Sequence, residues 1–129
     1  MSRWLSRRGG FVLIGIFAVP RMLFGQLSPV GPEFRANTFT SSNQNQQAVA
    51  MNGAGSFVVV WQSSAQDGSG SGIFGQRFNG TGGPVGAEFR VNSFATGNQL
   101  LPSVGLSSSG GFVVVWQSAG QDGSAYGVF

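Results

Sequence analysis

The residues that could do chemistry in this chain are few. The 129 residues contain no cysteine and no histidine, and all seven basic residues are arginine, so lysine is missing too. That removes thiol nucleophiles, thiolate or imidazole metal sites, disulfides and Schiff-base chemistry. The acids are Glu33, Asp67, Glu88 and Asp122. Asp67 opens Asp-Gly-Ser-Gly-Ser-Gly and Asp122 opens Asp-Gly-Ser-Ala-Tyr-Gly, and these two loops are the candidate calcium sites. Calcium takes about six to eight oxygens, usually from several carboxylates at alternating positions, and each loop offers one. The competing reading is a turn in which the aspartate accepts backbone N–H groups. Glu33 with Arg35, and Glu88 with Arg90, sit two apart, which on a strand places them on one face as a surface ion pair of little worth. No residue set of the kind a catalytic site needs is found, so no catalytic or cofactor-binding residue is assigned.

Three further positions invite a function and have a plainer reading. Trp61 and Trp116 suit core packing better than sugar stacking. Asn79-Gly80-Thr81 matches a glycosylation acceptor, but Asn-Gly has a conformational reason to stand in a hairpin. Tyr126 replaces Ser71 between otherwise similar loops and is the candidate ligand-facing position.

These candidates come in pairs because the chain states one long phrase twice. Gly31–Arg35, Phe57–Ser63 and Gln66–Ser69 each recur 55 residues on, at Gly86–Arg90, Phe112–Ser118 and Gln121–Ser124. Aligned without a gap, 25 of the 46 positions from Pro29 to Phe74 are identical to those from Pro84 to Phe129. A fixed period of this size marks stacked supersecondary units. The repeat region is 26–129, with unit one at about 29–83 and an incomplete unit two at about 84–129. The second copy stops where the first runs on into Gly75-Gln76-Arg77, so the expectation is an amino-terminal piece of a longer array or a truncated frame.

Strands are predicted at about Gln47–Met51, Phe57–Ser63, Gly72–Phe78 and Val85–Phe94, with turn chemistry at Asn52–Gly55, Ser64–Gly70, Asn79–Gly83 and Ser107–Gly111. Phe57–Trp61 is apolar on both alternating faces, which requires cover on both sides. Glu33–Arg35 and Glu88–Arg90 alternate and suit outer strands. The expected fold is all-β, with antiparallel four-stranded units resembling β-propeller blades, about two of them; the alternative is a β-sandwich. One such sheet leaves both faces wet, so each unit needs a stacked neighbour.

Residues 1–25 read as a secretory signal peptide, cleaved after Gly25. Three arginines precede the nine-residue apolar run Phe11–Val19, which Pro20 and Arg21 end. About 20 apolar residues are needed to span a bilayer, so no membrane association is expected once the leader is removed; an uncleaved anchor is the competing reading. Arg7-Arg8 falls one residue short of a twin-arginine pattern. The leader also explains the net charge of +3, because from Gln26 onward three arginines face four acids. Nucleic-acid binding is thereby excluded as an expectation.

The stretch FVVVWQSSAQDGSGSGIFGQRFNGTGGPVGAEFRVNSF resembles the tandem repeats of large secreted bacterial surface proteins, a likeness covering about Pro29 to Phe129. The resemblance implies propeller-like blades, often accompanied by cadherin-like or haemolysin-type calcium-binding modules, at the bacterial cell surface or outside the cell. Related repeats often carry a second acid in the aspartate loop, where this chain has Ser69 and Ser124. The expectation is a non-catalytic structural or binding protein of adhesion type, with a polysaccharide or another surface protein as partner. Two alternatives are the first blades of a propeller hydrolase or lyase whose site lies downstream, and a calcium-dependent surface module.

Overall fold

In the computed structural model, residues 31–129 are described; the signal peptide, its cleavage point and the twin-arginine feature lie outside them. The strands are β1 (Gln44–Met51), β2 (Phe57–Ser64), β3 (Ser71–Phe78), β4 (Pro84–Arg90), β5 (Gln99–Leu106), β6 (Phe112–Ala119) and β7 (Tyr126–Val128). They form two antiparallel sheets, a meander β1-β2-β3-β4 and a meander β5-β6-β7, and no helix occurs among the described residues. The described part of the chain is all-β. The first sheet takes its fourth strand from the start of the second sequence period. Glu88–Arg90 lies in that edge strand as expected, whereas its counterpart Glu33–Arg35 is outside any strand.

Three hairpins use one device. Asn52 N–H donates to the Ser56 carbonyl and Gly55 N–H to the Asn52 carbonyl; Asn79 with Gly82 and Gly83, and Ser107 with Gly110 and Gly111, repeat the pattern. The residue three places after the first, Gly55, Gly82 or Gly110, has φ of 81°, 83° or 88°. Of the two Asn-Gly pairs, neither places its own glycine at positive φ. Gly80 has another reason to lack a side chain: a Cβ there would meet the Ala54 carbonyl oxygen at 3.0 Å, because two hairpin tips abut.

β4 ends at Arg90, earlier than the pattern of the chain suggests. The Val91 N–H still reaches the Ile73 carbonyl at 2.8 Å, but the Ile73 N–H is taken by the Asn92 side chain at 2.7 Å. A side chain thus replaces the next rung of the ladder. β1 and β5 each carry a break in register, between Asn45 and Ala48 and between Leu100 and Ser103. The bulged residues Gln46 and Leu101 have φ of 52° and 53° although their sequences differ.

The second sheet packs on one side of the first chiefly through its edge strand β5, which lies against β1, β2 and β3. Cross-strand partners share a face, so Val58 and Val60 lie with Ala50, Ala48, Gly75 and Phe89 on the side that sheet two covers. Phe89 of that face meets Phe112 of sheet two, with ring centroids 5.9 Å apart. The opposite side of sheet one carries Phe57, Val59, Trp61, Phe74 and Phe78. There Phe34 packs on Phe57 and Phe78, and the 36–47 stretch lines a groove beside Trp61.

Identical sequences therefore meet different surroundings. Val58, Val60 and Ile73 are 2%, 0% and 0% exposed, while their counterparts Val113, Val115 and Val128 are 63%, 43% and 74% exposed. Cover on both faces, expected of both valine-rich strands, is nearly reached in β2, which is buried at Val58, Val60 and Trp61 but half-buried at Phe57 and Val59. It fails for β6, where Val113 and Val115 are exposed. Sheet one lies against only one side of β6.

Where the sheets meet at their loops, an isolated parallel bridge joins Ser71 to Asn98. Gly70 sits there with φ of 57°, and a Cβ on it would meet the Gly97 carbonyl oxygen at 2.5 Å. Gly70→Ala is expected to cost at least about 1–2 kcal/mol from the left-handed backbone alone. The collision with fixed backbone adds to that, so the thermal midpoint should fall by several degrees while far-UV circular dichroism keeps its strand signature.

Candidate functional site

The Asp67 loop connects β2 to β3. It is closed by Ala65 N–H to the Gly70 carbonyl at 2.6 Å and Gly68 N–H to the Ala65 carbonyl at 3.3 Å. Asp67 Oδ1 accepts the Ser69 N–H at 3.3 Å, and Oδ2 accepts the Asn92 amide at 3.1 Å. The carboxylate lies on Gly72, where any side chain would run into Oδ2. In the second copy Asp122 Oδ1 accepts the Ser124 N–H at 3.2 Å, and its Oδ2 lies over Gly127 in the same way. Each aspartate thus folds its own loop, and Asp67 also ties the loop to Asn92 in the connection between β4 and β5.

Among the described residues no group of three or more His, Cys, Asp or Glu lies close enough together to hold a metal ion. Calcium would have to displace both donors from Asp67 and find its remaining oxygens in hydroxyls, carbonyls and water. Addition of calcium to millimolar levels is therefore expected to leave tryptophan fluorescence and the thermal midpoint unchanged. A saturable blue shift would establish metal coupling instead.

Asn92 is the centre of the junction. Its Oδ1 accepts the Ile73 N–H at 2.7 Å, and its amide donates to Asp67, to the Phe94 carbonyl at 3.0 Å and to Gln99 Oε1 at 3.3 Å. Gln99 in turn donates to the Thr96 carbonyl at 3.2 Å and to Ser118 Oγ at 3.4 Å. Asn92, Gln99 and Ser118 are all buried. The first copy holds the same chain of groups: Asn37 to Gln44 at 3.3 Å, and Gln44 to Ser63 at 3.5 Å. These partners are neutral amides. A serine nucleophile needs a neighbour that accepts its proton, and the neighbour of Ser63 or Ser118 donates instead. The network can hold two sheets together; it is not built to activate a hydroxyl.

The other candidates fall as follows. Glu88 turns its carboxylate to the Thr38 N–H at 2.6 Å, the Thr38 hydroxyl at 2.9 Å and the Gln66 amide, rather than to Arg90. It thereby ties the edge strand to the entering chain. Arg35 Nε donates to the Asn37 carbonyl at 3.0 Å. Asn79 Oδ1 accepts from Thr81 N–H, Thr81 hydroxyl and Gly83 N–H, so the acceptor-like triplet is a hairpin lock. Trp61 is buried, Trp116 is half-buried, and the indole nitrogen of each is enclosed without a partner. Tyr126 stands exposed at the start of β7, whereas Ser71 is buried and accepts from Gln62 at 3.3 Å.

Among the depressions of the described residues are a groove of about 160 Å³ beside Trp61 and a cleft of about 290 Å³ between the sheets, whose charged lining residue is Arg77. The first is well below, and the second at the lower edge of, the roughly 300–1,000 Å³ of ligand cavities. Nothing in the search for chemistry marked Asn92, Gln99 or Ser118. The available signal was their recurrence, as Asn37, Gln44 and Ser63, at the 55-residue period. Set beside known proteins, the chain finds no relative: no family model, no curated protein and no solved structure matches it.

Proposed function

We propose that this is a secreted or cell-surface bacterial repeat protein with a structural, binding role of adhesion type. Its sheets are successive propeller-like blades, and catalysis is absent from this chain. One observation carries the reading: two antiparallel meanders, of four and three strands, are built from one repeated phrase and packed on each other through buried valines and a network of neutral amides. Such a stack supplies a rigid frame for loops, and loops on rigid frames are where binding residues gather. The loop Gln121–Tyr126 departs from its counterpart at Ala125 and at the exposed Tyr126, an aromatic face suited to a sugar ring or a protein surface.

The test has two arms. Protease treatment of intact cells expressing a tagged chain should remove the tag, and a panel of immobilised bacterial polysaccharides and surface proteins should retain the protein. Tyr126→Ser, which restores the residue of the first copy, should weaken that retention at least tenfold. A tag protected inside the cell, together with no retention on any surface, would defeat the proposal.

A further inference from the structure

The face of sheet two that carries Val113, Val115 and Val128 is exposed, although the same face of sheet one is buried. At the other end of the stack, sheet one exposes Val49 and Met51. These are paired across the sheet with Val59 and Phe57. Val49 and Met51 correspond to Val104 and Leu106, and Val59 to Val114, which lie on the side of sheet two that faces sheet one. The two bare surfaces are thus the two halves of the interface already formed within the chain. We infer that the Val113/Val115/Val128 face receives the Val49/Met51/Val59 face of a second copy of this chain, head to tail, repeating between molecules the stacking of sheet two on sheet one. The inference rests on packing and is independent of the binding reading above.

Two details fit a second copy rather than an unrelated partner. Phe34 holds on Phe57 the place that Phe89 holds on Phe112, with centroids 6.5 Å and 5.9 Å apart. Docking therefore brings Glu33-Phe34-Arg35 of one copy beside β7 of the other, as Glu88-Phe89-Arg90 lies beside β3. Asn92 binds Asp67 and the Ile73 N–H within the chain. Their counterparts across the new contact are Asn37 in one copy and Asp122 and Val128 in the other. One feature is not reproduced, because Ala125 and Tyr126 replace Gly70 and Ser71 at the loop contact. The contact between copies is accordingly weaker than the one inside. A heterologous contact of this kind closes into a ring or continues as a fibre.

Sedimentation of the full chain from low micromolar to several hundred micromolar tests this, with the leader common to every sample. The wild type should associate with rising concentration. Val113→Asp/Val115→Asp should sediment as a monomer, and so should Val49→Asp/Met51→Asp. All four side chains are exposed or partly exposed in the single chain, so circular dichroism should be unchanged. Val128→Asp, a lone change on the exposed face, should weaken association at least tenfold. Mixed in equal amounts, the two double variants should form a complex of one chain each, since each keeps the half the other lost. A wild type that stays monomeric, a double variant that associates as well as the wild type, or a mixture that remains monomeric overturns the inference.

Discussion

Trp61→Ala is expected to lower the unfolding free energy by about 3–5 kcal/mol, the usual cost of emptying a buried aromatic site. Trp61 is 3% exposed, walled by the 36–47 stretch and paired across the sheet with Phe74. Trp116 holds the same place in the same seven-residue run of β6 but is only half-buried. Trp116→Ala should cost about 1–2 kcal/mol, in proportion to the smaller apolar area removed from water. The comparison is internally controlled, since flanking sequence and strand position are identical. Urea unfolding followed by far-UV circular dichroism measures both without depending on tryptophan emission. Equal losses would mean that β6 is covered as fully as β2. Trp61→Phe sharpens the test. It keeps an aromatic ring while deleting an indole N–H that is enclosed without an acceptor, a donor whose burial itself costs about 1–3 kcal/mol. It should be far milder than Trp61→Ala.

The second large effect is expected at Asn92. Asn92→Ala removes an acceptor from the Ile73 N–H and a donor from Asp67, Phe94 and Gln99 at a fully enclosed point. Buried groups left without partners cost about 1–3 kcal/mol each, so a total loss of about 3–5 kcal/mol is expected where some relaxation is allowed. Asn37→Ala, at the equivalent half-buried site, loses only its bonds to Phe39 and Gln44 and should cost about 1 kcal/mol. Asn92→Asp is nearly the same shape and should not rescue. A carboxylate can still accept from Ile73, but it faces the oxygens of Asp67, Phe94 and Gln99 with nothing to donate. Because Asn92 joins the loop of sheet one to sheet two, the Ala variant should also loosen their stacking. Hydrogen exchange at Ile73 should rise well above that at Val60.

Much of this fold was legible in the residues. Alternation and turn chemistry placed β2 and β3 to within a residue or two, and the 55-residue recurrence announced that the same sheet would be built again. The local signals are strong because a strand apolar on both sides has few other uses. What was not legible was which copy of a repeated residue is covered. Val58 and Val113 are the same letter in the same phrase, and only the order of stacking separates a buried side chain from a bare one. Nor could spacing foretell that Glu88 reaches Thr38 rather than Arg90, since that bond spans 50 residues. The end of β4 escaped because a side-chain oxygen supplied a rung that a backbone carbonyl usually supplies. The amide network escaped for a different reason. Asn, Gln and Ser are ordinary surface letters, and only their return at a fixed interval sets these apart.

The bulges in β1 and β5 mark the strands that tell the two halves apart. A protein whose two halves share long stretches of sequence risks assembling with its ribbons exchanged, a known failure of repeat arrays. β2 and β6 share Phe-Val-Val-Val-Trp-Gln-Ser, so neither can tell its proper neighbour by its own sequence. The strand beside each can. β1 and β5 keep the same kink but agree at only two positions, Gln44 with Gln99 and Val49 with Val104. Each valine strand therefore has beside it a ribbon of its own sequence, and that difference is what separates the right pairing from the exchanged one.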